Sequence, residues 1–407
     1  MPSSLPTRFA GLDLARFVAL IGMFAAHLWL NDRASNDPLR AIAATTAFQL
    51  SEGTASTLFA VLGGMSLVLA TRRVREERGA RGVLIAVLVR GLIVMFIGTL
   101  LAEPPVVMVV VLVYFGAAMI VAGPFLLAPS WLIVLVGGLL ALFGGGFNAA
   151  LRVDLGIFLE GESLPLGDFA DPVTALRALL ITGVYPVITW LVYLLLGILV
   201  ARGMIVTAER GGLRGWGWIA AVGGGAFAAL AIIVSSVTLA AVGAMAPNSG
   251  ELQQAIIAQS GGSYGAMPTG TWWMQLIAAP HSGTPMDILR TGAVAVSVIG
   301  LMTALTADRR RLAYPVRLIA TTGAAPLTIY VAHCLASIPI AMSMGPRGAG
   351  FELWAMNVAG ALVIGAILLA LRRKGPLEAL IAVSVRGALL LVPRRRAVSP
   401  VAAATRR

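Results

Sequence analysis

Residues 11–30 read GLDLARFVALIGMFAAHLWL, an apolar run that nevertheless carries Asp13, Arg16 and His27. A helix that crosses a bilayer needs about 20 mostly apolar residues. Ionisable side chains inside such a helix are costly, so they usually face a cavity or the interior of a bundle. The run is too long for a cleaved signal peptide, and no small-residue cleavage site follows Trp29. This stretch therefore predicts a first transmembrane helix whose polar face points inward.

The rest of the chain has the composition of a membrane protein. Of its 407 residues, 58% are hydrophobic and 12% are charged, and the mean hydropathy is +0.91. Since a soluble domain keeps roughly a quarter of its residues charged, an ordinary soluble domain and a disordered chain are excluded. The net charge of +12 does not indicate nucleic-acid binding, because the arginines are concentrated in one set of loops. The single cysteine, Cys334, excludes an intrachain disulfide and a cysteine-based zinc or iron–sulfur site.

Ten apolar runs predict membrane-spanning helices. They lie at about 11–30, 54–71, 82–101, 105–122, 129–147, 180–200, 217–245, 291–306, 318–343 and 353–371. The expected fold class is an all-α polytopic membrane bundle of about ten transmembrane helices, with residues 1–393 as a single domain. The run at 376–392 contains Glu378 and Arg386, so we expect a C-terminal amphipathic helix at the membrane interface. Residues 394–407 are expected to form a basic, disordered cytoplasmic tail.

The distribution of basic residues predicts the orientation. With the N-terminus in the cytoplasm and ten alternating helices, the inner segments hold 22 lysines and arginines and the outer segments hold 6. Cytoplasmic loops of membrane proteins are enriched in these residues. We therefore expect a multi-pass protein of the plasma (inner) membrane, with both termini cytoplasmic and two long outer loops at about 148–179 and 246–290.

The ionisable groups of the first helix share one face. At 100° per residue, Arg16 and His27 lie about 20° apart around the helix axis and about 16 Å apart along it. Asp13 lies about 60° from Arg16. One interpretation is a structural i,i+3 ion pair between Asp13 and Arg16, and the other is that Arg16 meets an anion that enters from the cytoplasm. Arg90, in the third predicted span, either joins such a site or reaches back to the cytoplasmic surface.

The three histidines, His27, His281 and His333, all fall on the outer side of the predicted topology. Histidine titrates near neutral pH and can act as a general base or acid. Because their spacing matches no zinc-ligand motif, we expect no metal. The chain also contains no P-loop, HExxH or GxSxG motif, which argues against an ATPase, a zinc protease and a serine hydrolase.

One face of the ninth predicted span is polar. It carries Thr322, Pro326, Tyr330, His333 and Ser337. Pro326 is expected to kink the helix, which suits the wall of a cavity. The alternative is that the hydroxyl groups only form hydrogen bonds between helices.

Several fragments, in order, resemble a known membrane family. The opening has Arg8, a short gap, the core GLDLAR (11–16) and His27 at the far end of an apolar helix. Further matching fragments are LFAVLGGMS (58–66), TGVYP (182–186) with Trp190, HSGT (281–284), PLTIY (326–330) with His333, and GPLE (375–378). The chain is similar to the heparan-alpha-glucosaminide N-acetyltransferase-like group and to the related YeiB-type bacterial membrane proteins.

This resemblance implies transfer of an acyl group from cytoplasmic acyl-CoA, such as acetyl-CoA, to an acceptor at the outer face. His27 matches the histidine that carries the chemistry in the acetyltransferase branch, and Arg16 matches an arginine of the related acyltransferase opening. The segment after the first helix, LWLND (28–32), lacks the Gly, Asn and Tyr of the eukaryotic enzyme, so the acceptor need not contain glucosamine.

The expected site residues fall into three groups. His27 is expected to act as the general base, with His333 and Tyr330 orienting it or stabilising an oxyanion. Arg16, Asp13 and Arg90 are expected at the donor. His281, Tyr185 and Trp190 are expected at the acceptor.

Two other classes of function stay open. A transporter or exporter of a small amphiphile uses the same polar face as a path and needs no chemistry, although no inverted repeat is visible in the sequence. A non-catalytic member of an envelope-synthesis complex is the third interpretation. The expected partners are membrane lipids and a small-molecule or glycan acceptor, without nucleic acid, and a homo-oligomer is left open.

Overall fold

A computed structural model describes residues 9–29, 31–104, 108–263, 265–267, 271–307, 312–344 and 350–394. Within these ranges the chain is helical and contains no strand, which confirms the predicted all-α fold class. The α-helices are α1 (Ala10–Leu28), α2 (Pro38–Ser51), α3 (Thr54–Leu101), α4 (Leu112–Ala122), α5 (Ser130–Leu139), α6 (Gly145–Leu155), α7 (Pro172–Arg177), α8 (Val187–Glu209), α9 (Leu213–Met245), α10 (Gly250–Ile257), α11 (Pro285–Thr306), α12 (Tyr314–Gly323), α13 (Pro326–Met344), α14 (Phe351–Leu371) and α15 (Pro376–Leu390). A π-helical turn, Leu140–Gly144, joins α5 to α6.

With α5, the π-helical turn and α6 counted as one continuous helix (Ser130–Leu155), seven of the described helices are long and apolar enough to cross a membrane, or eight if the bent pair of α12 and α13 is one span. The chain is therefore a multi-pass membrane protein, but the predicted number of about ten spans is not confirmed. Two differences account for much of this discrepancy. The predicted spans 54–71 and 82–101 belong to the single helix α3. The described part of the predicted span 105–122 holds only the short helix α4, which a 3-10 turn extends to Leu126.

The long helix α3 changes direction at Gly79. A straight helix of its 48 residues would be about 72 Å long, more than twice the roughly 30 Å core of a bilayer. Gly79 has φ 66° and ψ −158°, a conformation that is open almost only to glycine. Both halves of α3 pack on the same part of α4, because Gly63 lies against Phe115 and Gly91 against the carbonyl of Gly116. The arginine-rich segment between the two predicted spans is thus a bent helix.

Helix α1 lies in the centre of the bundle. It packs against α3, α11, α12, α13 and α14. Small residues permit this close approach. Gly11 lies against the backbone of Thr303 in α11, and Gly323 in α12 lies against the carbonyl of Asp13. The polar residues of α1 are therefore surrounded by protein, as the first stretch of sequence predicts.

The two ends of α1 define two ends of the bundle, which we call the Arg16 end and the His27 end. The bend of α3 lies at the Arg16 end, where Arg72 pairs with Glu209 at the end of α8 (3.0 Å). At the His27 end, Arg40 forms an ion pair with the first turn of α14 (2.6 Å). Which of these ends faces the cytoplasm stays a prediction.

The C-terminal helices complete the Arg16 end. Helices α12 and α13 meet at 78° just before Pro326, so the predicted kink is confirmed. Helix α15 confirms the predicted C-terminal helix, and its interfacial position stays a prediction. The Glu378 carboxylate accepts hydrogen bonds from the backbone N–H groups of Leu327 (2.7 Å) and Thr328 (3.2 Å). It thereby caps the first turn of α13.

Some predictions concern residues outside the described ranges. These include nearly all of the predicted tail, at 395–407, the last residue of the first predicted span, Leu30, and several basic residues outside the predicted spans, Arg8, Arg309, Arg310, Arg311 and Arg347. The division into one domain and a tail stays a prediction.

Candidate active site

A cavity of about 310 Å³ lies at the His27 end of the bundle. It is enclosed by the end of α1, the junction of α2 and α3, the residues before α4, and the loop before α11. Its polar lining consists of His27, Arg33, Ser51, Glu52, Ser56, Tyr185, Ser260, His281 and Tyr330. A concave site that gathers several ionisable groups is the first place to look for a reacting centre.

The structure brings the three histidines together. His27 and His281 line the cavity, and His27 Nδ1 lies 3.3 Å from His333 Nε2. The two rings are stacked, with centroids 5.6 Å apart and planes within 9°. His333 is buried behind His27, and its Nδ1 lies 3.0 Å from Asn357 Oδ1. His27 thus faces the cavity while His333 and Asn357 support it from behind.

Glu52 is the one acidic group among the described residues that line this cavity, and reasoning from the sequence missed it. Its Oε1 lies 3.2 Å from His281 Nε2. Burial lowers the pKa of His281, but the hydrogen bond and the charge of Glu52 outweigh it, so the pKa is raised from its ordinary value. An isolated acidic residue just before an apolar run is the signal that could have pointed to Glu52.

The loop that carries His281 is fixed by the cap of α11. Thr284 Oγ1 accepts a hydrogen bond from the backbone N–H of Asp287 (3.1 Å), the usual device at a helix N-terminus. His281 itself has φ 60°, a left-handed conformation that is uncommon for a residue with a side chain. Its carbonyl accepts a hydrogen bond from Gly265 (2.9 Å). The HSGT fragment therefore works as a structural corner that holds the imidazole against Glu52.

Arg290 is a second residue whose place could not be seen in the sequence. The predicted outer loop at 246–290 ends at Arg290, but this residue lies inside α11 and is buried. Its Nη2 lies 3.3 Å from Asp287 Oδ1. The predicted loop boundary at 290 is thus about one and a half turns too late, since α11 begins at Pro285.

The aromatic residues predicted at the site occupy different positions. Tyr330 is 1% exposed and lines the cavity, and its hydroxyl lies near the Val111 backbone and the Cys334 side chain. Tyr185 also lines the cavity, with its ring edge-on to His281 (5.4 Å). Trp190 is buried and packs against Tyr185 (4.8 Å). Trp190 thus contacts the lining of the cavity through Tyr185.

A smaller cavity of about 110 Å³ lies at the Arg16 end. Arg16, Ser66, Arg90 and Glu378 form its polar lining, and the rest of the wall is apolar. Arg16 Nη1 lies 2.6 Å from Asp13 Oδ1, and Nη2 donates to Ser66 Oγ (2.7 Å). The predicted ion pair between Asp13 and Arg16 is thus confirmed. Arg16 lines the cavity as well, so the two interpretations of this residue are compatible.

The two cavities are separated by about one helical turn. On α3, Ser56 lines the cavity at the His27 end and Phe59 lines the one at the Arg16 end. On α13 the corresponding residues are Tyr330 and Leu327. A thin, largely apolar layer therefore lies between the two polar sites.

Comparison with known proteins adds one finding to this geometry. The family model for heparan-alpha-glucosaminide N-acetyltransferase, catalytic, matches residues 8–240. The chain belongs to this family. No curated protein and no solved structure matches the chain.

The matched region of this acetyltransferase family runs from the start of α1 into α9. It includes Arg16, His27, Glu52, Arg90 and Tyr185. The remaining site residues lie beyond it, namely His281, Tyr330, His333 and Asn357. Among the described residues, no group of three or more His, Cys, Asp or Glu side chains is placed to hold a metal ion; that the site works without metal stays a prediction.

Proposed function

We propose that the protein is an integral membrane acyltransferase. It moves an acetyl or other acyl group from cytoplasmic acyl-CoA to an envelope glycan or lipid acceptor at the outer face, with His27 as the general base. Membership of the acetyltransferase family supports the type of reaction. The observation that carries the proposal is the position of His27, which shares one cavity with Glu52, His281 and Tyr330.

The donor is proposed to bind at the Arg16 end. Coenzyme A carries phosphates, and guanidinium groups pair with phosphates more specifically than ammonium groups do. Arg16 and Arg90 both line the cavity there. Asp13 holds the Arg16 side chain in place, and the arginines of the α3 bend add positive charge at the same end, which attracts an anionic donor.

The extended arm of the donor is proposed to run along α1 toward His27. Arg16 and His27 are about 16 Å apart along the helix axis. The side chains of Phe59 and Leu327 lie next to the layer that separates the two cavities. They must shift for a thioester to reach His27, so we infer that donor binding opens this layer.

The proposed reaction is a direct transfer. The lone pair on the cavity-facing nitrogen of His27 takes the proton of the acceptor hydroxyl or amine, while the acceptor atom forms a bond to the thioester carbonyl carbon. The Tyr330 O–H donates a hydrogen bond to the oxyanion that develops. The intermediate then collapses, the carbon–sulfur bond breaks, and the thiolate of coenzyme A receives the proton from His27. A covalent acyl-histidine intermediate is the less favoured route.

The acceptor is proposed to lie between Glu52, His281 and Tyr185. A carboxylate accepts hydrogen bonds from hydroxyl or amine groups, and an aromatic ring offers a flat apolar surface next to it. Trp190 supports the ring of Tyr185 from behind. An acceptor that presents several hydroxyl or amine groups, such as a glycan, fits this lining.

The wider setting is proposed from the sequence. The protein is placed in the plasma (inner) membrane with both termini cytoplasmic, surrounded by lipid, with no nucleic-acid partner and with a homo-oligomeric state left open. Two rival functions remain. Transport of a small amphiphile is favoured by one observation, since polar cavities lie at both ends of α1. Non-catalytic membership of an envelope-synthesis complex is the other.

The test uses full-length protein purified in detergent with radiolabelled acetyl-CoA or a longer acyl-CoA. Envelope lipids and glycans are offered as acceptors, extracted and counted. The acyltransferase binds acyl-CoA and labels an acceptor. A transporter or a scaffold protein labels none, and failure to bind any acyl-CoA would overturn the proposal.

A further inference from the structure

Three side chains from three helices form a continuous line behind the cavity. His27 on α1 contacts His333 on α13 (Nδ1 to Nε2, 3.3 Å). His333 in turn contacts Asn357 on α14 (Nδ1 to Oδ1, 3.0 Å). Asn357 Nδ2 donates to the carbonyl oxygen of Leu353 (2.9 Å). Each contact is within hydrogen-bond distance.

The last contact fixes the direction of all the others. A carbonyl oxygen can only accept, so the nitrogen of the Asn357 amide must point at Leu353 and its oxygen at His333. That oxygen also only accepts, so His333 must carry its proton on Nδ1. In neutral His333 the other nitrogen, Nε2, is then an acceptor. His27 therefore donates from Nδ1.

We propose that Asn357 and His333 are positioning residues that hold His27 in one tautomer, with its proton on Nδ1 and the lone pair of Nε2 directed to the cavity. The inference rests on the proposed role of His27 as general base and deepens it. A base needs its lone pair toward the proton it takes. The opposite tautomer of His27 presents an N–H to the acceptor and cannot act as the base.

The surroundings favour a single proton arrangement. His333 is 3% exposed and Asn357 is 8% exposed, so water has little access to compete for these bonds. The Phe24 ring packs on His333 with centroids 4.1 Å apart, which fixes the plane of the imidazole. When His27 takes a proton on Nε2, its Nδ1–H continues to donate to His333. The same bond thus serves both states of the base.

The charged groups near His27 lie on the cavity side. They are Glu52 at the junction of α2 and α3, His281 in the loop before α11, and Arg33 after α1. None of them forms part of the line from His27 to Asn357. The tautomer is thus set from the buried side, and the cavity side is left to the reactants. Asn357 lies beyond the region matched by the family model.

The experiment reads the tautomers directly. The chain has only three histidines, so full-length protein labelled with ¹⁵N and ¹³C in histidine gives a spectrum simple enough to assign with single-histidine variants. Solid-state NMR of the protein in lipid then shows which ring nitrogen carries each proton. Asn357→Leu removes the acceptor, and Asn357→Asp keeps it. Ser337→Ala is the matched control, because Ser337 is buried one turn from His333 and, among the described residues, its hydroxyl donates to its own helix (Cys334 carbonyl, 2.7 Å).

The expected result is an Nδ1–H tautomer for both His27 and His333 in the wild type, Asn357→Asp and Ser337→Ala. In Asn357→Leu, both histidines are expected to show mixed tautomers. For Asn357→Leu, kcat for acyl transfer is expected to fall at least about tenfold, while KM for acetyl-CoA is unchanged. This loss is smaller than the roughly 10²–10⁴-fold expected when the base itself is removed. Asn357→Asp retains activity within about tenfold of the wild type, still above Asn357→Leu.

Two results would overturn the inference. One is an Nε2–H tautomer of His27 in the wild type. The other is an Asn357→Leu variant with wild-type tautomers and wild-type kcat. If His27→Ala leaves transfer intact, the proposed function of His27 has failed; the tautomer measurement still decides, independently, whether Asn357 and His333 set the protonation of His27.

Discussion

The two cavities along α1 differ in size and in the state of their polar groups. At the Arg16 end the cavity measures about 110 Å³, and its key cation is already held by Asp13 and Ser66. At the His27 end it measures about 310 Å³, and its lining gathers His27, Glu52, His281 and Tyr330. Under the proposed function this difference matches two roles: the Arg16 end holds a fixed charge for an anionic donor, and the His27 end gathers several groups that can exchange protons with an acceptor.

The largest effect is expected from removal of the base. His27→Ala should lower acyl transfer by roughly 10²–10⁴-fold, because nothing then takes the proton of the acceptor. Binding of acetyl-CoA, measured by calorimetry, should change less than about twofold, because the donor is held at the other cavity. His27→Asn should behave similarly, since it cannot take a proton near neutral pH. Full activity of His27→Ala would assign the base elsewhere, with His333 as the next candidate.

A smaller effect, on the donor alone, is expected from Arg16→Lys. Lysine can keep the ion pair with Asp13 but loses the planar group with several donors, so the affinity for acetyl-CoA should fall about tenfold or more, the scale of one hydrogen bond to a charged group. Arg73→Lys, at the exposed part of the α3 bend, is the control and should bind normally. If Arg16→Lys binds acetyl-CoA with unchanged affinity but yields less folded protein, Arg16 is only a structural partner of Asp13.

A third prediction concerns the bend that builds the Arg16 end. Ser66 and Arg90 lie on opposite halves of α3 yet line one cavity, so its geometry depends on Gly79. Gly79→Ala forces a side chain into a strained conformation and should lower the free energy of unfolding by about 1–3 kcal/mol, with weaker acetyl-CoA binding. Gly215→Ala, at a glycine of α9 with open space around it, should be neutral or slightly stabilising. Equal stability of both variants in a denaturant titration would argue against the bend.

The smallest effect is expected from pH at the loop that closes the His27 end. Glu52 raises the pKa of His281, while Asp287 and Arg290 face the same group with opposite charges. The ion pair with protonated His281 therefore stabilises the folded loop fully below the ordinary pKa of His281, near 6.5. This stabilisation is lost as the pH rises through the raised pKa of His281. Hydrogen exchange of the Gly265 amide should accelerate severalfold across this range, beyond the intrinsic pH effect. In Glu52→Gln, the exchange rate of the Gly265 amide should follow the intrinsic pH effect alone. If its pH dependence is the same as in the wild type, the ion pair does not hold the loop.

Much of the fold could be predicted because hydropathy and charge are local properties. The stretch at 11–30 predicts a transmembrane helix with an inward polar face, and α1 has this form. The bend at Gly79 could not be seen, because apolar runs report which residues lie in the membrane and not whether the connection between them is a loop or a kinked helix. Arg290 was misplaced for a related reason, since the cap at Thr284 starts α11 before the apolar run begins.

The site was only partly predictable because its members come from distant segments. The histidines could be grouped, since alternating topology puts all three on one side. Glu52 and Asn357 were missed, because their importance arises from contacts with His281 and His333 that no spacing reveals. A lone asparagine in the apolar run of α14 was nevertheless a readable signal, because polar groups at membrane depth need a partner.

The most direct test of the account separates the two ends in space. Purified protein is reconstituted into vesicles in one orientation, with radiolabelled acetyl-CoA supplied only on the side of the Arg16 end and envelope extract only on the side of the His27 end. The account predicts labelled acceptor on the far side with the wild type and none with His27→Ala. Label that appears only when acetyl-CoA and extract are on the same side, or that His27→Ala forms equally well, would contradict it.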